Sequence, residues 1–323
     1  MSWLKRWRRS VTDPAAGLLV SAMVHSAGAL SEPSRRRLGR LVASLLWRGS
    51  RERRRVVLAN LAIAFPERDE AARLALGREA LRHLAWNALE FAHLLHRPGQ
   101  ALRQIRLDAT LESLRGEGAA RPVMMVTPHL GSWELLGHVA SLHGIPAAVV
   151  AHDVRNPYVG RLLQRARTAH GLQVISSHGA ARGIVRAVRE GRHIGLLMDQ
   201  NTRLREGGAY VEFFGLPVTV TRAPAVLSRR LGLAVCAAAC VRTAEGFAVV
   251  SESLPRPVAD YADDQELLQA IMAANEALIR RFPEQYVWTY RRWRYIPADA
   301  PEAQRRRYPF YARPGEALAG GAE

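Results

Sequence analysis

Apolar positions along the chain fall into two regimes. Up to about residue 100 they recur at intervals of three, four and seven, the period of helices that pack by one face. The clearest case is "ERDEAARLALGREALRHLAWNALEFAHLLH", in which Leu74, Leu81, Leu84, Ala85, Ala88, Phe91 and Leu95 share a face. Pro66 opens this segment and Pro98-Gly99 closes it. From about residue 110 short β-like runs alternate with helical ones. The strands are Pro122 to Thr127, Ala147 to Ala151, Leu172 to Ile175 and His193 to Met198. The helices between and after them run near Ser132 to His143, Pro157 to His170 and Ala180 to Glu190. A helix near Ala223 to Leu231 follows, then a hairpin of Ala234 to Val241 and Phe247 to Ser251 turning at Glu245-Gly246, and a helix from about Asp264 to Phe282. Strands separated by helix-length segments predict an α/β fold with a largely parallel central sheet flanked by helices. The pattern divides the chain into N-terminal helices (1–50), a helical segment packed on the core (51–110), the α/β domain (111–300) and a tail (301–323) whose end, "GEALAGGAE", is expected to fray.

The first fifty residues hold two further patterns. Positions 14 to 31, "PAAGLLVSAMVHSAGALS", carry no charged side chain over 18 positions, about the shortest length that spans a bilayer. His25, three serines and two glycines temper this run, and arginines flank it. It reads as a helix lying in or part-way through a bilayer, with a buried helix as the alternative. The next stretch, "RRRLGRLVASLLWRGSRERRR", sets Leu38, Leu41, Val42, Leu45 and Leu46 at helical spacing among arginines, the pattern of a helix on an anionic lipid surface. A helix packed on the domain with its arginines in water fits it equally.

Composition narrows the partners. A net charge of +17, carried almost entirely by arginine, implies a partner rich in phosphate: nucleic acid or an anionic membrane. No aromatic stacking face, RNP-like strand or GXXG clamp is present, so nucleic acid is not expected. The two cysteines, Cys236 and Cys240, make neither a disulfide framework nor a zinc quartet, and fit a reducing compartment. No metal or redox cofactor is implied.

The stretch with the most chemistry is "VMMVTPHLGSWELLG", residues 123 to 137. On one continuous helix His129 and Glu134 would lie roughly 140° apart and could not meet. If the strand ends at Thr127 and a helix begins at Gly131-Ser132, Glu134 falls in its first turn and can reach back to the imidazole. A carboxylate on one imidazole nitrogen fixes the tautomer and raises the basicity of the other, which can then deprotonate a hydroxyl. No G-x-S-x-G elbow supplies a covalent nucleophile. The pair therefore points to direct attack by a substrate hydroxyl or water on an activated acyl group, against a plainer alternative in which Ser132 and Glu134 cap the helix.

"VTPHLGSWELLG" resembles the H-x4-D/E block of the glycerolipid-type acyltransferases, and in particular the lauroyl/myristoyl acyltransferases of lipid A biosynthesis. Six more blocks match in order: "NLAIAFPE", "WNALEF", "RNPYVGRLLQRAR", "GIVRAVREGRHIGLLMDQN", "FFGLPVTVTRAPAVLSRR" and "FPEQYVWTYRRWR", together covering about residues 40 to 297. The family's Asn before the Trp is Ser132 here, and the arginine it carries after the following strand is His152, with Arg155 close by. The resemblance implies His129 as the base and Glu134 as its orienting acid. It implies Arg167, Gly131, Ser132, Trp133 and Arg155 as substrate contacts. Asp199 and Gln200 are further contacts read from their place at the end of a buried parallel strand, where ligands collect in open α/β sheets, and Phe213 and Phe214 read either as walls of an acyl channel or as core. Arg167 or the backbone amides of 130 to 132 would stabilise the oxyanion. Glu284, Trp288, Arg291 and Arg292 read as structural. The implied enzyme is an O-acyltransferase at the cytoplasmic face of the inner membrane. It would take its chain from acyl carrier protein or acyl-CoA and pass it to a phosphorylated glycolipid, a lipid A precursor. The alternatives are a phosphatidylinositol mannoside or another lysolipid as acceptor, or a basic membrane- or nucleic-acid-binding protein without catalysis.

Overall fold

In the computed structural model, residues 17–96, 105–115, 121–152, 154 and 156–315 are described. Pro98-Gly99, Arg155 and most of the expected frayed tail lie outside them. Four helices come first: α1 (17–29), α2 (Glu32–Gly49), α3 (Arg51–Ala64) and α4 (Glu70–His96). In α2 the face turned inward is Arg35, Gly39, Ala43 and Trp47, at steps of four. Gly39 lets the helix close on α4, since a Cβ there would lie 3.4 Å from the Trp86 Cα. The leucines of α2 point away: Leu41 and Leu45 are 57% and 61% exposed.

Polar residues fasten these helices. Arg35 forks onto the buried Glu90 carboxylate at 3.1 and 3.3 Å, and the Trp86 indole donates to the same group at 2.8 Å. The Arg242 guanidinium lies between the Trp86 and Phe247 rings, 3.4 and 4.2 Å from their centroids, and 3.9 Å from Glu90. Burial pulls its pKa down to about 10, which still leaves it charged. Asn60 of α3 donates to the carbonyls of Trp288 and Tyr290, both at 2.7 Å. Asn87 and Glu90 thus sit on the buried face of α4 among apolar residues, while Ala88, expected on that face, is exposed.

After a short helix, α5 (Ala109–Glu112), the chain builds a six-stranded sheet in the order β3 (Gln173–Ser176), β2 (Ala147–Ala151), β4 (His193–Leu197), β1 (Val123–Thr127), β7 (Ala234–Thr243) and β8 (Gly246–Ser253). All neighbours are parallel except β7 and β8. The crossovers are α6 (Trp133–Leu142), α7 (Pro157–Thr168) and α8 (Ala180–Arg189), and α9 (Ala223–Leu231) and α10 (Asp264–Arg281) complete the layers. This is the expected largely parallel sheet between helices, with strand and helix ends within two residues of the pattern reading. Alternate strand residues feed two cores. Met124, Val126, Ile194 and Leu196 join one with α8, α9 and α10; Met125, Ala147 and Cys236 join the other with α5 and α6. Both cysteines are buried and free, and burial pushes each thiol up to about 12.

The β5 (Gly208–Phe213) and β6 (Leu216–Thr221) hairpin was not foreseen from the pattern. Its two-residue turn is Phe214-Gly215, both at positive φ (52° and 69°), with the Phe214 amide donating to Glu276 at 2.6 Å. The turn drives both aromatics inward. Phe213 and Phe214 are 0% and 4% exposed and pack with Phe65, Trp288 and Trp293. They are core residues rather than walls of an acyl channel.

The turn after β1 is clamped by three elements. Gly131 has φ 58°, its amide donates to the Gln285 carbonyl at 3.0 Å, and its carbonyl accepts from Asn87 at 2.8 Å. The Ser132 amide donates to the Cys240 carbonyl at 2.7 Å. A Cβ on Gly131 would sit 2.1 Å from that carbonyl oxygen. Gly131→Ala should therefore cost at least about 2 kcal/mol in denaturant unfolding, from the strained φ and the clash together. Gly144→Asn, at φ 75° with no atom within 4 Å of a Cβ, should cost less than about 1 kcal/mol.

Candidate active site

The fully buried strand β1 ends at Thr127, which Pro128 keeps extended, and a tight turn closed by the Leu130 amide on the Pro128 carbonyl follows, so His129 emerges at the carboxyl edge of the sheet. Register pairs Thr127 with Leu197, which brings the residues after β4 alongside the residues after β1. Asp199 meets His129 there twice. Its Oδ2 accepts the His129 backbone amide at 2.9 Å and its Oδ1 accepts Nδ1 at 2.5 Å. An ionised carboxylate only accepts, so Nδ1 carries the proton and Nε2 keeps its lone pair. The Gln200 side-chain nitrogen lies 3.3 Å from Nε2, and the Trp133 ring stands edge-on to the imidazole at 5.0 Å between centroids.

The imidazole is thus braced by Asp199, and the expected bond from Glu134 is replaced by another. Glu134 does occupy the first turn of α6, but its carboxylate takes a two-point ion pair from Arg167 of α7, Nε at 3.0 Å and Nη2 at 2.6 Å. The planar guanidinium fork matches a carboxylate better than a single imidazole N–H does, and α7 packs beside α6. The capping alternative also fails, because the Ser132 side chain makes no cap bond. With the amides of Leu130, Gly131 and Ser132 all committed to protein carbonyls, that turn offers no oxyanion donors.

Burial alone would lower the His129 pKa. The charge and hydrogen bond of Asp199, with a smaller push from Glu134, outweigh it and hold the value above the ordinary 6.5. Burial would raise the Asp199 pKa, but His129 and Arg292 keep it below the usual carboxylate value. Arg292 is 1% exposed, and its Nη1 donates to Asn201 at 2.9 Å and to the Thr219 carbonyl at 3.0 Å. Burial, with the Asp199 charge, lifts the pKa of the buried Tyr286 hydroxyl well above normal. Tyr286 and Arg292 belong to the support of the site and were not identified as such from sequence. His138, one turn beyond Glu134, is buried with both ring nitrogens unbonded, and burial lowers its pKa to about 4, so it stays neutral.

His129 stands at the rim of a cavity of about 820 Å³ whose walls are largely aliphatic. Trp133, Glu134, Arg167 and Gln200 share that rim, so the structure brings together five of the expected site residues with Asp199 directly behind them. His152, also in the lining, is exposed and bonds Ser177 at 2.9 Å. Arg155 lies outside the described residues. Among the described residues no group of His, Cys, Asp or Glu is arranged to hold a metal ion.

A buried carboxylate on one imidazole nitrogen leaves the other unprotonated beside the Gln200 amide and a largely aliphatic cavity, an arrangement that can take up a proton. Residues 5–295 match the model of the bacterial lipid A biosynthesis acyltransferase family. The chain is 28% identical over 250 residues to the lipid A biosynthesis palmitoleoyltransferase of Escherichia coli (strain K12), covering 76% of this chain and 80% of that one. It is 25% identical over 267 residues to the lipid A biosynthesis myristoyltransferase of the same organism, covering 80% and 79%. A lipid A biosynthesis acyltransferase 2 of Shigella flexneri is 23% identical over 270 residues, covering 80% and 81%. The match runs through the strand, the turn and the helix that build the His129 site, and the chain belongs to the bacterial lipid A biosynthesis acyltransferases.

Proposed function

We propose that this acyltransferase moves a fatty acyl chain from an acyl thioester, carried by acyl carrier protein or coenzyme A, to a hydroxyl of a lipid A precursor at the cytoplasmic face of the inner membrane. The observation that carries the reading is His129, its tautomer fixed by Asp199, at the mouth of an apolar cavity. Nε2 takes the proton of the acceptor hydroxyl as its oxygen attacks the thioester carbonyl. The tetrahedral intermediate expels the thiolate, which recovers the proton from the imidazolium. Asp199 stabilises that imidazolium. Arg167 and the Gln200 amide, both at the rim, supply positive charge and a hydrogen-bond donor for the developing oxyanion.

Exposed side chains of α1 and α2 support membrane attachment. Leu18, Leu19 and Met23 of α1 are 73%, 63% and 62% exposed, and the outward leucines of α2 lie among Arg36, Arg37, Arg40 and Arg48. No helix among the described residues is long and apolar enough to cross a membrane. The proposal is attachment along the surface, apolar side chains in the acyl boundary and arginines on anionic headgroups.

Acyl transfer from labelled acyl carrier protein to a purified lipid A precursor tests the chemistry. His129→Ala and Asp199→Asn should each lower kcat/KM on the order of a hundredfold or more, and transfer by His129→Ala at the parent rate would refute the reading. The acid limb of the kcat/KM profile should have its midpoint above 6.5, because the neutral imidazole is the active form. Asp199→Asn should move that limb to lower pH, and Glu134→Gln should move it less. Stability runs the other way. The raised His129 pKa contributes stability that is fully present below 6.5 and is lost as pH climbs through the folded value, so rate rises over the window in which the unfolding free energy declines.

Vesicle flotation tests the attachment. Binding to anionic vesicles should fall at least about tenfold in Leu41→Ser/Leu45→Ser, given about 1.5–3 kcal/mol for each leucine buried in lipid. It should also fall as salt rises. Undiminished binding of that variant would place the contact elsewhere.

A further inference from the structure

The cavity beside His129 draws its lining from both faces of the sheet. Leu196 and Ile184 belong to the core under α8, Met125 and Leu136 to the core under α6. The lining differs in exposure on the two sides. On the α8 side it includes Ala181 and Glu206, both exposed, so that arm borders solvent. On the α6 side it includes Leu111, Ala140 and Ala147, which are 0%, 3% and 2% exposed, so that arm is bounded by buried residues and is closed in that sense.

Two glycines line the closed arm. Gly137 is in the middle of α6 and Gly195 in the middle of β4, and neither has a positive φ. Backbone geometry gives no reason for glycine at either place, and glycine inside a helix is less stable than alanine. An isolated glycine inside a strand marks the close approach of another group. Register sets Gly195 between Val149 of β2 and Met125 of β1, so its missing side chain is a gap in one row of the floor beneath α6. A Cβ on Gly195 would lie 2.9 Å from Val149 Cγ1, and one on Gly137 would lie 2.8 Å from Leu172 Cδ2. Val149 and Leu172 line the same arm, so a methyl group at either glycine narrows it both directly and through its neighbour.

We infer that the closed arm receives the acyl chain being transferred and that Gly137 and Gly195 set the chain length it admits. The inference rests on the acyl-transfer reading of the His129 site. A chain entering methyl end first from beside His129 is accepted until its tip meets the end of the arm, so a closed arm measures length where an open one does not.

The test is transfer to a purified lipid A precursor from a ladder of saturated acyl thioesters of increasing length. Gly195→Ala should move the profile to shorter chains, with the longest chain the parent accepts losing about tenfold more rate than the shortest. Gly137→Ala should move it the same way while leaving the thermal unfolding midpoint unchanged or higher, which separates narrowing from misfolding. Adding Val149→Ala to Gly195→Ala should bring the long chains back, an effect that a packing role would not produce. Equal loss for every chain length in both single variants, or an unchanged profile, overturns the assignment. Absence of transfer by the unsubstituted protein with every thioester removes the acyl-transfer reading itself, and the assignment with it.

Discussion

A carboxylate buried against one nitrogen of an imidazole is the contact on which this site depends. Asp199 has nearly no access to water, and a lone charge there would cost several kcal/mol. The protein offsets that cost with two donors from His129 and the positive field of Arg292. In return the imidazole is held in one tautomer, with its unprotonated Nε2 beside the Gln200 amide and the cavity. Arg292 is itself buried with its Nε and Nη2 unbonded, so the arrangement stores an unfavourable cation in the core. That cation balances Asp199 and restrains the rise of the His129 pKa.

The N-terminal helices are part of this construction. Asn87 of α4 holds the carbonyl of Gly131, and Asn60 of α3 ties down the segment that carries Tyr286 and Arg292 by two backbone carbonyls. Glu90 gathers Arg35, Trp86 and Arg242 into one buried network that joins α2 and α4 to β7, the strand whose Cys240 carbonyl receives the Ser132 amide. The elements that expose leucines and arginines to the surroundings are thus mechanically continuous with the turn that presents His129. The exposed leucines of α2 and the turn after β1 share one support.

Local pattern revealed the strand, the turn and the helix around His129, because each is written in a few consecutive residues: an apolar run, Pro128, Gly131 and an amphipathic stretch. It placed Glu134 correctly in the first turn of α6. It could not choose the partner of the imidazole, since Asp199 lies 70 positions away and comes near only because β4 pairs with β1. The same limit left Arg292 read as structural with no link to Asp199. In α2 the leucine spacing was legible but its direction was not, because burying Arg35 and Trp47 against α4 leaves the leucines outside. The β5–β6 hairpin escaped notice because its tight turn uses Phe214 at positive φ, where Asn or Asp would have announced it.

The most direct measurement is a nitrogen-15 NMR titration of the His129 ring in the whole protein, with Asp199→Asn as its partner sample. A neutral ring protonated on Nδ1, titrating above 6.5 and moving to lower pH when Asp199 is replaced, is the expected result. A neutral ring protonated on Nε2, or a titration that the substitution leaves in place, would contradict the claim that Asp199 sets the base.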